Sequence, residues 1–406
     1  MRKSGILETM NVLQRLRRYV FRTWEPATGY AAGLVFAGFL LLIQLGRLIP
    51  GLSERELQTL QQSRNWHSIV NDPINLPHKI LELVLAKLDL IGPFGLRSVS
   101  VFFALLTVVA FYYVVCRWHT TRVALLGTAL LATSSWFLHF ARLATPDILF
   151  PAGLLLSLVY GTWIRQTNKS SLAVVTGIAL AVTLLYIPGF VWFVALGILW
   201  QFHAVSKHLR ASKFASIYVA LLVGIVLAAP MTYAVYRQPA LLKSMAGLPA
   251  HIPSPVQFGK NLLHIPSQLF INGPRSNETG IVGLPMLDIF VMAMSFLGAY
   301  AYFYRRQLDR TKILVGASIV GSVLVALGGL VSIVLLLPIV YILATAGLAF
   351  MLQQWFTVFP RNPLARVIGT SLISVAVIVT AFYHINQYYI AWPNAPETKR
   401  IFLLQP

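Results

Sequence analysis

The chain has almost no cysteine and little charge. Cys116 is the one cysteine among 406 residues, so no disulfide forms within the chain and a disulfide-stapled scaffold is excluded. Charged residues make up 11% of the sequence, less than half the share of about 25% found in soluble domains. Acid is scarcer still, with 12 Asp and Glu against 32 Lys and Arg. There is no glycine-rich phosphate loop, no nucleophile elbow and no His/Cys spacing suited to a metal. What abounds is apolar: 57% of the residues are hydrophobic, which excludes a disordered chain and points to a single integral membrane body.

A helix needs about 20 mostly apolar residues to cross the hydrocarbon core. Such segments fall at roughly 30–49, 97–116, 123–139, 147–164, 171–187, 188–204, 214–236, 284–304, 312–328, 330–356 and 366–384. They predict an all-α polytopic protein with about 11 transmembrane helices, some short enough to belong to broken helices. The first segment follows a basic stretch and precedes many others, so it reads as a retained anchor. Placing the N-terminus inside puts 19 basic and 3 acidic residues on the inner side, and 13 and 9 on the outer. Every short inner loop is then basic, which predicts an N-in, C-out topology and accounts for most of the +20 charge without a nucleic-acid partner.

Residues 1–29 read as a cytoplasmic basic segment, with Ile6, Met10, Leu13, Leu16 and Val20 on one stripe of an amphipathic helix against anionic membrane lipids. The membrane body spans 30–384, and an extracytoplasmic tail follows at 385–406. Two outer loops, about 50–96 and 237–283, are too long to be mere connectors. Together with the tail they are expected to converge on one extracytoplasmic site.

With acids this rare, each can be weighed. Asp147 lies between two apolar spans at the outer boundary, where a carboxylate is expensive. Thr145-Pro146-Asp147 also suits a helix start, so capping competes with function there. Ser53-Glu54-Arg55-Glu56 is a capping-box pattern; Glu54 and Glu56 lie two apart, so at most one of them faces a site. Taken alone, Lys79 and Arg97 read more readily as interface anchors than as ligands; together with Arg142 they would form a cationic cluster beside a carboxylate, suited to an anionic leaving group. Asn277-Glu278-Thr279 matches a glycosylation sequon, a weak tripeptide signal.

The order of these features resembles the N-terminal half of GT-C membrane glycosyltransferases, in the protein O-mannosyltransferase and aminoarabinose transferase branch. The closest stretch runs from Ala124 through Thr133-Ser134-Ser135-Trp136 to Arg142-Leu143-Ala144-Thr145-Pro146-Asp147, and the resemblance covers roughly 30–205. It implies transfer of a sugar from a polyprenyl-phosphate donor to a glycan, lipid or protein acceptor, outside a bacterial inner membrane. It also implies an acid opening the first outer loop, a second acid at Asp147, a loop lysine at Lys79, and arginines at Arg97 and Arg142 on the donor phosphate. Ser53 stands where the first acid belongs, so Glu54 or Glu56 is left to replace it, or, if neither does, Asp147 serves as the base or the chain is inactive. No cofactor and no metal are expected. Two other readings stand beside this one: a transporter or lipid flippase, and a catalytically inactive relative acting as a scaffold. Charges gathered at the outer boundary, with nearly charge-free span interiors, weigh against a translocation path.

Overall fold

The computed structural model describes residues 30–403, so the amphipathic segment expected at 6–21 and the rest of 1–29 lie outside the described residues. The described residues form helices and the turns that join them, without a β-strand. Among the described residues, six helices are long and apolar enough to cross a membrane: Pro93–Trp118, Pro146–Ile164, Phe214–Arg237, Asp309–Leu327, Ile333–Val358 and Pro363–Asn394. Two bent pairs bring the number to eight, and three shorter apolar helices, Tyr30–Leu42, Ser170–Leu185 and Ile289–Tyr304, accompany them. Each of the 11 expected segments therefore meets a helix or a bent pair, but fewer than 11 are full-length spans. The protein is an integral, polytopic, all-helical membrane protein.

The bends explain part of the difference. At Ser134 the backbone turns extended and the side chain caps the next helix through Phe137 N at 3.1 Å, so Thr121–Thr133 and Ser135–Arg142 meet at 60°. Hydropathy reads 123–139 as one run because both halves are apolar, whereas the serine cap restarts the helix in a new direction. Phe190–Trp200 and Phe202–Ala211 meet at 74°.

Loops gather into two groups. In one, Arg165 pairs with Asp309 at 2.6 Å, and Arg310 donates to the Trp118 carbonyl at 2.6 Å. In the other, Ser53, Glu278, Asn277, Trp392 and Glu397 are hydrogen-bonded together. Pro93–Trp118 runs from one group to the other, about 39 Å at 1.5 Å per residue. Both groups contain only residues that the alternation of spans assigns to one side.

Between them lies a continuous apolar core with Trp136, Phe137, Phe150, Phe190 and Tyr341 fully buried. Its tightest seam joins Ile289–Tyr304 to Leu337–Val358. A Cβ on Gly298 would stand 1.8 Å from the Leu343 carbonyl oxygen, and one on Gly347 2.0 Å from that of Met294. Only glycine lets the two backbones approach so closely, as in small-residue helix pairs in membranes.

Candidate active site at the loop cluster

The first outer loop opens with the helix Glu54–Ser63, started by the capping box its sequence predicts. Ser53 Oγ accepts from Glu56 N at 3.2 Å, and Ser53 N donates to Glu56 Oε2 at 2.9 Å. This cap points Arg55 toward two carboxylates from distant parts of the chain. Arg55 Nη2 donates to Asp147 Oδ2 at 2.7 Å, and Nη1 lies 3.6 Å from Glu278 Oε2. Asp147 and Glu278 are buried, while Arg55 is the exposed member of the group. Asp147 is the second residue of a short helical turn, Pro146–Ile148, that has no side-chain cap; its carboxylate faces Arg55 instead. The nearby Asp147 charge holds Arg55 more firmly protonated than a free guanidinium.

Glu278 completes the group and was not singled out by sequence reasoning. Ser53 Oγ donates to its Oε1 at 2.6 Å, so the one hydroxyl accepts from Glu56 N and donates to Glu278. Burial pushes the Glu278 carboxyl above its ordinary value; Ser53 and Arg55 oppose the shift, and Asp147 and Glu56 add to it. The signal available in the sequence was the scarcity of acids, but the sequon drew attention to Asn277. In the structure Asn277 is buried, with Nδ2 donating to Glu397 at 2.7 Å and Oδ1 accepting from Val282 N at 2.7 Å. Both ends of its amide are occupied, which leaves no free side chain for a glycan.

The candidate acids and cations of the first loop separate on burial. Glu56 is fully buried and accepts from Arg97 Nε at 2.8 Å, Arg97 Nη2 at 3.0 Å, Ala144 N at 2.8 Å and Ser53 N at 2.9 Å. Its lone pairs are committed, so Glu56 is a tie between loops and not a free base. Arg97 is committed in the same way, donating also to the carbonyls of Ile49 at 2.6 Å and Gly51 at 2.7 Å. It locks the loop and lines the cleft, but holds few donors in reserve for a phosphate. Glu54 is exposed, with a single 3.4 Å contact from Gln58. Lys79 is buried and donates to the Asp72 carbonyl at 2.8 Å and the Asp72 carboxylate at 2.9 Å. Burial lowers its pKa and Asp72 partly restores it. Lys79 thus closes its own loop and, among the described residues, makes no hydrogen bond to Asp147 or Glu278.

Arg142 differs from the other cations. It is 3% exposed, and among the described residues its only hydrogen bond runs from Nη2 to the Ile43 carbonyl at 2.5 Å, leaving Nε and Nη1 buried without partners there. Its guanidinium carbon lies 5.1 Å from the ring centre of Tyr388 and 4.8 Å from that of Tyr389. Both rings come from the tail at 385–406, within which the sequence singled out no residue. Arg142 opens on a narrow cleft lined by Gln44, Gly46, Arg97, Tyr388 and Trp392. Each buried, unpaired donor costs about 1–3 kcal/mol; the cleft has a volume of about 10 Å³, room for about one water, so an anion that offsets this cost must first widen it. Among the described residues, no three His, Cys, Asp or Glu side chains gather as a metal cluster.

The architecture is that of the GT-C fold. The chain is similar to ArnT from Cupriavidus metallidurans in the apo state, with TM-score 0.60, 14% identity, and coverage of 93% of this chain and 78% of that one. The same ArnT bound to undecaprenyl phosphate gives TM-score 0.56 at 15% identity, covering 90% and 76%. The archaeal oligosaccharyltransferase AglB from Archaeoglobus fulgidus, in complex with an inhibitory peptide and a dolichol-phosphate, gives TM-score 0.51 at 13% identity, covering 94% and 59%. At these identities the likeness is one of fold. No family model matches the chain, and neither does any curated protein.

Proposed function

We propose that this protein is a membrane glycosyltransferase that moves a sugar from a polyprenyl-phosphate-linked donor to an acceptor hydroxyl on a glycan, lipid or protein. The reaction takes place at the extracytoplasmic face of a bacterial inner membrane. Arg142 carries this reading: a buried guanidinium with two nitrogens unpartnered among the described residues borders a narrow cleft of about 10 Å³, and the buried carboxylates of Asp147 and Glu278 lie in the loop cluster, outside that cleft's lining. A phosphate oxyanion would satisfy those donors, and the flanking tyrosines hold the guanidinium plane in place. The ArnT structure with undecaprenyl phosphate and the AglB structure with dolichol-phosphate support a carrier of this type.

In the reaction the acceptor oxygen attacks the anomeric carbon opposite the phosphate, inverting its configuration. A carboxylate takes the hydroxyl proton, and the sugar–phosphate bond breaks with its electron pair on the phosphate. Arg142 stabilises the charge that gathers there, and Asp147 pairs with Arg55 in the resting site. Docking both substrates at the membrane boundary supplies the proximity. The energy resides in the carrier's phosphoester bond, so the reading needs neither a nucleotide nor a metal. The loop at 237–283, with Lys243, His251, Lys260, His264 and Arg275, selects the acceptor.

The test is transfer by purified protein in nanodiscs, offered a panel of short-chain polyprenyl-phosphate sugars, with release of free polyprenyl phosphate as the readout. Wild type is expected to release the carrier and Asp147→Asn to be silent, while Glu54→Gln stays near wild type because Glu54 is exposed. Arg142→Gln is expected to weaken polyprenyl phosphate binding by roughly 10- to 100-fold, the value of one or two charge-assisted bonds. Silence of the folded wild type on every donor would sink the reading.

A further inference from the structure

Ser53 stands where the resembling enzymes carry the acid that opens the first outer loop, and neither neighbouring glutamate fills the gap: Glu56 is committed to Arg97 and backbone amides, and Glu54 is exposed. The carboxylate that does reach this position comes from 225 residues away, with Glu278 Oε1 receiving the Ser53 hydroxyl at 2.6 Å. We propose that Glu278, delivered by the second outer loop, is the catalytic base of this protein, and that Ser53 is its positioning residue. The proposal rests on the glycosyltransferase reading above and names the group that performs its proton transfer.

Three features fit Glu278 for that task. Its side chain is buried beside Arg55, the exposed member of the group, so an arriving hydroxyl that displaces Arg55 meets the carboxylate. Only one of its oxygens is fixed at close range; the other lies 3.6 Å from Arg55, too long for a committed bond. Burial also keeps its affinity for a proton above that of a solvated carboxylate, as a base working near neutral pH requires. Asp147, by contrast, is committed to Arg55 at 2.7 Å, so its near carboxylate oxygen is already occupied. In the step itself the acceptor O–H proton passes to Glu278, the oxygen bonds to the anomeric carbon, and polyprenyl phosphate departs with the electron pair. Glu278 then returns its proton to water.

The test uses the purified full chain in nanodiscs, with binding of polyprenyl phosphate measured alongside sugar transfer. Glu278→Gln is expected to lower transfer by about 10²- to 10⁴-fold, the range for loss of a general base, without changing polyprenyl phosphate affinity. Ser53→Asp added to Glu278→Gln restores a carboxylate from the other side of the same contact, and aspartate keeps the helix cap. That double variant is expected to recover at least tenfold of the lost rate. The wild-type pH profile should fall on its acid side at a pH above the ordinary carboxylate range, because the base must be deprotonated to work. The groups facing Glu278 are Ser53, Arg55, Asp147 and Glu56, with Glu397 held by the adjacent Asn277. Ser53→Ala removes a bond to the charged form, so the acid limb is expected to move to higher pH.

Glu278→Gln within threefold of wild type, with Asp147→Asn silent, would overturn this assignment and leave the glycosyltransferase reading intact. Silence of a folded wild type on every donor would overturn both. If Glu278→Gln melts early, Glu278→Asp and the wild-type profile decide: an acid limb in the ordinary carboxylate range would overturn the assignment.

Discussion

Glu56 and Arg97 form a buried ion pair, 0% and 4% exposed at the side chain, that joins the first outer loop to the start of a membrane span and to the Ala144 amide. Such a pair resists the removal of one partner far more than its net contribution to stability suggests, because the other is left as an uncompensated buried charge. Glu56→Gln or Arg97→Ala should each cost about 3–5 kcal/mol, read as an early thermal transition in detergent. The double change should cost less than the sum of the two singles. A near-additive result would show that the two groups are not coupled as the geometry requires. The same contrast separates Arg97 from Arg142, both arginines at the cluster: the bonds of Arg97 are spent on carbonyls and a carboxylate, whereas two nitrogens of Arg142 have no partner among the described residues.

Between helices the relevant quantity is distance of approach. The Ile289–Tyr304 and Leu337–Val358 helices touch at Gly298 and Gly347, where an added methyl group meets a carbonyl oxygen of the opposite backbone. The helices must then separate, so Gly347→Ala is expected to destabilise by about 1–3 kcal/mol, the cost of overpacking. Gly197, in the Phe190–Trp200 helix, has nothing within 4 Å of an added Cβ, so Gly197→Ala should stabilise by about 0.5–1 kcal/mol. Opposite signs for one chemical change in a pair of thermal melts would check the packing directly. The bend at Ser134 matters in the same way. By redirecting Ser135–Arg142 through 60°, it ends the helix on Arg142, whose guanidinium lies against Tyr388 and Tyr389.

For the molecule as a whole, the question is which loop group faces out. The excess of basic residues predicts that the group holding Arg165 and Asp309 is cytoplasmic and that the Ser53–Glu278 group is not. Because Cys116 is the only cysteine, Cys116→Ser provides a clean background for single exposed probes. In spheroplasts, Gln61→Cys should react with an impermeant maleimide, and Lys207→Cys only after permeabilisation. The reverse pattern would invert the topology and place the site on the cytoplasmic side.

The apolar runs were enough to specify an all-helical membrane body, because twenty consecutive apolar residues have few other stable states. The capping box at Ser53 and Glu56 was legible for a related reason: it is a contact between residues three apart, present in both sequence and structure. Spacing also marked Asp147 as a charge out of place. It could not show that Glu56 is consumed by Arg97 or that Arg142 is left with unpaired donors, since those outcomes depend on partners 41 and 99 residues away. Nor could it bring Glu278 to Ser53 across 225 residues. Local pattern records which groups are costly to bury. Which of them are then paired, and which stay available for chemistry, is set by where the packed helices place the loops.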